Sequence, residues 1–236
     1  MKTYNCPNCG AALPAHAVKT EVATCEFCST SFRISKTLTP QPDMGDLLLG
    51  ADFSSKVMPG WEVLNEDKLT FHKDPLEMRG FLEPDPNKAW YVLRSSGFLD
   101  DFDASLNIRF LEGRKESIRA GFYLRFTDDG GYGFLISAQA SYTIGAFTKD
   151  ADGKLVWQKK MGWAYHTALK PGFNETNRLR VICNHESFRV YMNGVLTTSF
   201  KDSLFSAGTL YLAADTGEGP KAGFAFSDLQ VREVPG

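Results

Sequence analysis

The chain has 236 residues, a net charge of −2 and 43% hydrophobic residues, 18 of them phenylalanine. That balance supplies a sizeable core and leaves no basic face to displace counterions, so no nucleic-acid partner is expected. No run approaches the roughly 18 apolar residues of a membrane span, so no membrane is expected either.

The N-terminal segment carries the most specific chemistry. Cys6-Pro-Asn-Cys9 and Cys25-Glu-Phe-Cys28 are two CxxC knuckles separated by 15 residues. In each knuckle both sulfurs lie on one tight turn and can reach a single metal, and the spacer allows a short hairpin that brings the pairs together. Gly10 follows Cys9, where a left-handed backbone ends the turn. Four thiolates in this pattern predict a closed, tetrahedral, structural zinc site, one ion per chain, held by Cys6, Cys9, Cys25 and Cys28. A closed site has no open position for catalysis. A thioredoxin-like redox pair needs a CxxC that opens a helix after a strand, and neither knuckle sits in that context. His16, inside the spacer, reads as a surface residue. Met1 to Cys6 contains no apolar h-region of a signal peptide, which makes a reducing, cytoplasmic location the expectation. The first 36 residues carry Lys2, Lys19, Arg33 and Lys36 against Glu21 and Glu26. With a Zn(Cys)₄ centre near −2, that module is close to neutral.

The expected domains are a zinc ribbon over 1–35, a linker over 36–50 and a β-sandwich over 51–236. Pro40 and Pro42 suit an extended linker, and Met44 to Leu49 reads as one helical turn. From Trp61 onward short β runs alternate with turns. Phe102, Ala104, Leu106, Ile108 and Phe110 fall on one face of a strand with period 2. Ala120, Phe122, Leu124 and Phe126 read as inward on the next strand, with Tyr123 and Arg125 outward. Leu179, Val181 and Cys183 alternate on an apolar side, which makes Cys183 a buried small hydrophobe. Asn193-Gly194 predicts a type I′ hairpin turn. About a dozen strands without intervening helices predict an all-β, antiparallel sandwich of jelly-roll type.

The series Asn177-Arg-Leu-Arg-Val181, Phe188-Arg-Val-Tyr-Met-Asn-Gly-Val-Leu196, Gly208-Thr-Leu-Tyr-Leu212 and Phe224-Ala-Phe-Ser-Asp-Leu-Gln-Val231 resembles concanavalin A-like, laminin G-like jelly rolls. It is especially similar to bacterial domains of the 3-keto-disaccharide hydrolase type, over about residues 60–233. Ala120-Gly-Phe-Tyr-Leu-Arg-Phe126 is similar to their central strand, with alanine in place of a serine. The N-terminal module resembles the zinc ribbons fused to many bacterial proteins. The resemblance implies a fold that hosts lectins, hydrolases and adhesion modules alike.

Family 16 glycosidases carry Glu-x-Asp-x-x-Glu on one strand, and that motif is absent. The weak catalytic candidates are Asp101 and Asp103, an i, i+2 pair on one strand face; a solvated strand end is the plainer reading. Asn107, Arg109, Tyr123, Arg125, Arg180, Arg189 and Tyr191 would line a polar sheet face that binds a ligand. Rings stack on sugar C–H faces while planar polar groups take the hydroxyls. Trp157, Trp163 and Tyr165 add aromatic candidates, although Trp157 is equally consistent with core. Cross-strand pairing explains the same Arg and Tyr residues without a ligand. The acidic turns Asp128-Asp129 and Asp150-Ala-Asp152 allow a calcium site, but Asp is common in turns. The leading expectation is a non-enzymatic protein whose zinc ribbon is tethered to a lectin-like sandwich that recognises a carbohydrate or protein ligand. The alternatives are a hydrolase acting on a sugar derivative and a scaffold without a small ligand.

Overall fold

A computed structural model describes residues 5–14, 22–34, 42–83, 90–217, 219 and 221–234. Strands β1 (Val22–Thr24) and β2 (Ser31–Arg33) belong to the N-terminal module. Strands β3 (Leu47–Ala51), β4 (Trp61–Val63), β5 (Leu69–Lys73), β6 (Leu76–Leu82) and β7 (Trp90–Ser95) follow. The long strands are β8 (Phe102–Glu112), β9 (Arg119–Thr127), β10 (Gly130–Ser137), β11 (Ser141–Lys149) and β12 (Leu155–His166). Then come β13 (Thr176–Asn184), β14 (Ser187–Met192), β15 (Val195–Lys201), β16 (Thr209–Asp215) and β17 (Ala222–Arg232).

They build two sheets. The first has the order β1-β2-β12-β11-β10-β9-β16-β7-β4, and the second β15-β14-β13-β8-β17-β6-β5, with β3 also paired to β17. Pairing is antiparallel except between β2 and β12, which run parallel. The sheets face each other across one core. Phe102, Ala104, Leu106, Ile108 and Phe110 from β8 are fully buried there, opposite Ala120, Phe122 and Leu124 from β9. The all-β jelly-roll expectation holds. Leu179, Val181 and Cys183 point into the same core, and burial pushes the Cys183 thiol up to about 12. Asn193 and Gly194 both take positive φ, 49° and 82°, as a type I′ turn requires.

Two local expectations change. Leu47 to Ala51 is strand β3, hydrogen-bonded to Leu229–Arg232 of β17, so the helical turn expected over Met44 to Leu49 does not form. Strand pairing thus begins inside the segment read as linker. On β9, Arg125 has φ 50°, and the register with β10 and β16 slips beside it. This bulge inverts the alternation. Arg125 turns inward, 1% exposed, and Phe126 turns out. His16 lies outside the described residues.

Candidate functional site

The four cysteines converge. Their sulfurs all lie within 4.8 Å of one another, with Cys6 to Cys28 at 3.6 Å and Cys9 to Cys25 at 3.7 Å. A tetrahedron with Zn–S bonds of about 2.3 Å has edges of roughly 3.8 Å, so the donor set fits zinc; the sulfurs stand too far apart for disulfides. Both knuckles share one backbone pattern. Gly10 N–H donates to Cys6 O at 2.9 Å and Ser29 N–H to Cys25 O at 2.8 Å, and Gly10 and Ser29 both take positive φ. Hydrogen bonds from the Thr30 hydroxyl and backbone N–H lower the Cys28 thiol to about 6. Burial raises that of Cys6 to about 12. A metal bound here would supply cross-linking and no chemistry.

The ribbon does more than hang on a linker. Its strand β2 pairs with the end of β12, Phe32 opposite Tyr165 and Arg33 opposite His166. Thr167 N–H donates to Arg33 O at 3.2 Å. The small ribbon core of Cys6, Ala23, Cys25, Phe32 and Ile34 takes Tyr165 of the sandwich as a packing neighbour.

The seven residues expected to share one polar face fall on two sheets. Asn107, Arg109, Arg180, Arg189 and Tyr191 lie on β8, β13 and β14 of the second sheet, while Tyr123 and Arg125 lie on β9 of the first. The outer face of the second sheet is a ladder of internal pairs. Arg180 is held by Asp103 through Nε at 2.8 Å and Nη2 at 2.5 Å, and its guanidinium covers the Tyr191 ring at 5.5 Å. Arg178 reaches Asn107, Ser105 and Asp228. Arg109 and Arg79 both bind Glu77; burial opposes ionisation of that carboxyl, but the arginine hydrogen bonds outweigh it and lower its pKa. Arg125 serves the interior: it donates to the carbonyls of Asp100, His185 and Phe205 and to Asp101 Oδ1 at 3.1 Å. Asp101 also accepts from the His185 N–H at 2.6 Å. Both weak catalytic candidates are thus tied to arginines.

The outer face of the first sheet is different. Tyr123, Leu135 and Ala213 form a second cluster there, on the side of the sheet away from the main core, packed against Tyr91, Phe126, Phe147, Trp157 and Tyr211. Tyr91 stands 5.1 Å from Tyr211 and 5.5 Å from Tyr123 between ring centroids, and Phe147 stands 5.0 Å from Trp157. Five of these rings, Tyr91, Phe126, Phe147, Trp157 and Tyr211, are half-buried. Glycines make room for them: a Cβ on Gly133 would lie 2.7 Å from both Trp157 and Tyr123. Trp157, which could have been core, is therefore part of this platform.

Beside the rings runs a polar row. Pairing places Asp215 opposite Arg119, Arg119 opposite Ser137, and Ser141 opposite Tyr165. Arg119 Nε donates to Asp215 Oδ1 at 2.6 Å, and its guanidinium lies 5.9 Å from the ring of Trp163, which is 40% exposed. The Ser137 and Ser141 hydroxyls bond each other at 2.7 Å. Burial raises the Asp215 carboxyl above the usual range although Arg119 pulls it down. Phe126 and the Arg119–Asp215 pair escaped the sequence reading because the bulge at Arg125 hides the first, and the second joins positions 96 residues apart.

A separate groove of about 990 Å³ lies between β3, the following loop and β17, lined by Leu47, Leu49, Val57, Met58, Asp228 and Arg232 among others. Among the described residues no aromatic side chain lines it.

No protein-family model matches the chain, and no curated protein matches it by sequence. Solved structures do. The carbohydrate-binding module CBM66 from Bacillus subtilis is 18% identical, with a TM-score of 0.54, over 74% of this chain and 96% of that one. A Bacillus licheniformis β-glucanase is 12% identical, with a TM-score of 0.56, over 81% and 100%. A GH43 protein from Bacillus licheniformis has a TM-score of 0.57 at 14% identity, and there the match spans 82% of this chain and 40% of the other. The likeness is one of fold.

Proposed function

We propose that the sandwich is a non-enzymatic saccharide-binding module and that its site is the aromatic outer face of the first sheet. The carrying observation is the half-buried ring platform of Tyr91, Tyr211 and Trp157 beside the Arg119–Asp215 pair. Sugar C–H faces stack on such rings, and a fixed guanidinium–carboxylate pair offers donors and acceptors to hydroxyls. Carbohydrate-binding and glycanase neighbours of the same fold support the reading. The metal in the ribbon is zinc, bound by the four cysteines in a reducing compartment such as the cytoplasm, and its role is structural.

The hydrolase reading has one point in its favour: burial raises the carboxyl of Asp215, as a general acid requires. Against it, hydrolysis calls for two carboxylates, and on this face Asp215 and Glu62 are each bound to an arginine, Arg119 and Arg94.

A glycan array with the 236-residue chain tests the proposal. Trp157→Ala and Tyr211→Ala should each weaken the strongest signals about tenfold, consistent with about 0.5–1.5 kcal/mol per stacked ring beyond its area burial. Thermal stability should change far less than binding. Wild-type signals in both variants would refute the site. Release of reducing ends from the bound glycan, abolished by Asp215→Asn, would favour the hydrolase.

A further inference from the structure

We infer that the metal-bound ribbon positions Trp163 and Tyr165 on the aromatic face, so that metal loading controls ligand affinity there. This rests on the saccharide reading for its ligand, but its structural half can be measured without one.

Among the described residues β12 is the last strand of the sandwich on that side, and β2 of the ribbon stands beyond it. Among the described residues β2 touches β12 at its final residues, Tyr165 and His166. Tyr165 is therefore held from three directions. Ser141 pairs with it on the sandwich side, the ribbon core packs on its ring, and its hydroxyl donates to Gln139 Oε1 at 2.9 Å. The register of β12 slips between Met161 and Ala164, and Trp163 within that slip turns its ring to the outer face. There it meets the Arg119 guanidinium, which in turn holds Asp215. The ribbon core thus packs on Tyr165, the backbone of β12 joins Tyr165 to Trp163, and Trp163 meets the Arg119 guanidinium that holds Asp215.

The ribbon cannot hold its end of this chain alone. Its buried apolar set is Cys6, Ala23, Cys25, Phe32 and Ile34, and two of those five are metal ligands. A module of this size with so small a core folds through its metal. Without zinc, β2 loses its scaffold and Tyr165 loses one of its three supports. The far part of the platform, Tyr91, Tyr123 and Tyr211, sits on β7, β9 and β16, three or more strands from β12 in the sheet order. The coupling is therefore local to the β12 end of the site.

The test compares the 236-residue chain in three states: zinc-loaded, stripped with a chelator, and reloaded with zinc. Hydrogen exchange should show the Thr167 amide and those of residues 161–166 losing protection at least tenfold on stripping and regaining it on reloading. The amides of Phe122 and Leu124 in β9 should not change. Equal protection of β12 in all states overturns the inference. Loss of protection in β9 as well overturns it too, because the metal would then hold the whole fold. Phe32→Ala, with zinc content measured, should loosen the same amides while the metal stays bound; full protection in that variant counts against the route through Phe32. On a glycan array the stripped protein should lose signal at least tenfold. Equal signal in both states refutes control of affinity. No signal in either state refutes the saccharide reading, and the exchange data alone then decide the coupling.

Discussion

Trp157 covers Gly133 so closely that a Cβ at that glycine would stand 2.7 Å from the indole Cζ3. Tyr123 crowds the same spot at the same distance, so two rings of the platform meet over one missing side chain. Gly133→Val should push both rings outward. Overpacking of this kind costs about 1–3 kcal/mol. Glycan binding should fall with it, together with a change in tryptophan emission. A variant of unaltered emission and affinity would show that the rings do not depend on the glycine.

Arg125 predicts the opposite pattern, loss of stability without loss of recognition. Its guanidinium satisfies three carbonyls and Asp101 while lying 5.2 Å from the Phe188 ring. Arg125→Met leaves those acceptors unpaired, at a cost of about 3 kcal/mol or more. For a chain of this size that lowers Tm by roughly 6–12 °C. The fraction that remains folded should bind glycan like wild type. A selective loss of binding at unchanged Tm would return Arg125 to the ligand site.

His166 sets a pH dependence. It is 3% exposed, accepts the Ala168 N–H at Nδ1, and its pKa falls to about 4 through burial and then through the nearby Arg33 charge. The unfolded chain takes up this proton near pH 6.5, and the folded chain does so only near pH 4. Stability from this group is therefore complete above pH 6.5, declines as pH falls between 6.5 and 4, and levels off below. The total is of order 3 kcal/mol. Urea titrations across that window should show the decline, and His166→Gln should flatten it. A stability curve of equal slope in the variant would assign the dependence elsewhere.

Metal content gives the most direct check on the ribbon. Purified protein should carry about one zinc per chain, and Cys25→Ser with Cys28→Ser should abolish it. Chelation should produce an early unfolding transition separate from that of the sandwich. Substoichiometric metal with four freely reactive thiols would contradict the site.

Much of this was legible in the sequence, for physical reasons that differ by residue. The period-2 pattern from Phe102 to Phe110 needs only local geometry, and all five residues are fully buried. The cysteine cluster was legible because metal ligation demands fixed spacing. The split of Arg109 and Tyr123 between two sheets was not legible, since alternation tells inside from outside but not which sheet a strand joins. The bulge at Arg125 was hidden for a related reason: a single left-handed residue reverses every side chain after it, and arginine gives no hint of positive φ. The pairing of β2 with β12 joins Phe32 to Tyr165 across most of the chain, in a parallel register that no turn signal announces.

That parallel graft also bears on how the molecule keeps to itself. An uncovered last strand offers free amides and carbonyls to any neighbour, which is how sandwich proteins come to assemble edge to edge. Strand β12 is twelve residues long and carries Lys159 and Lys160 at its middle, charges that discourage such pairing there. The ribbon pairs with Tyr165 and His166, so it covers the end of the strand that the lysines do not protect. Metal starvation should therefore first show itself as aggregation, at temperatures where the sandwich itself is still folded.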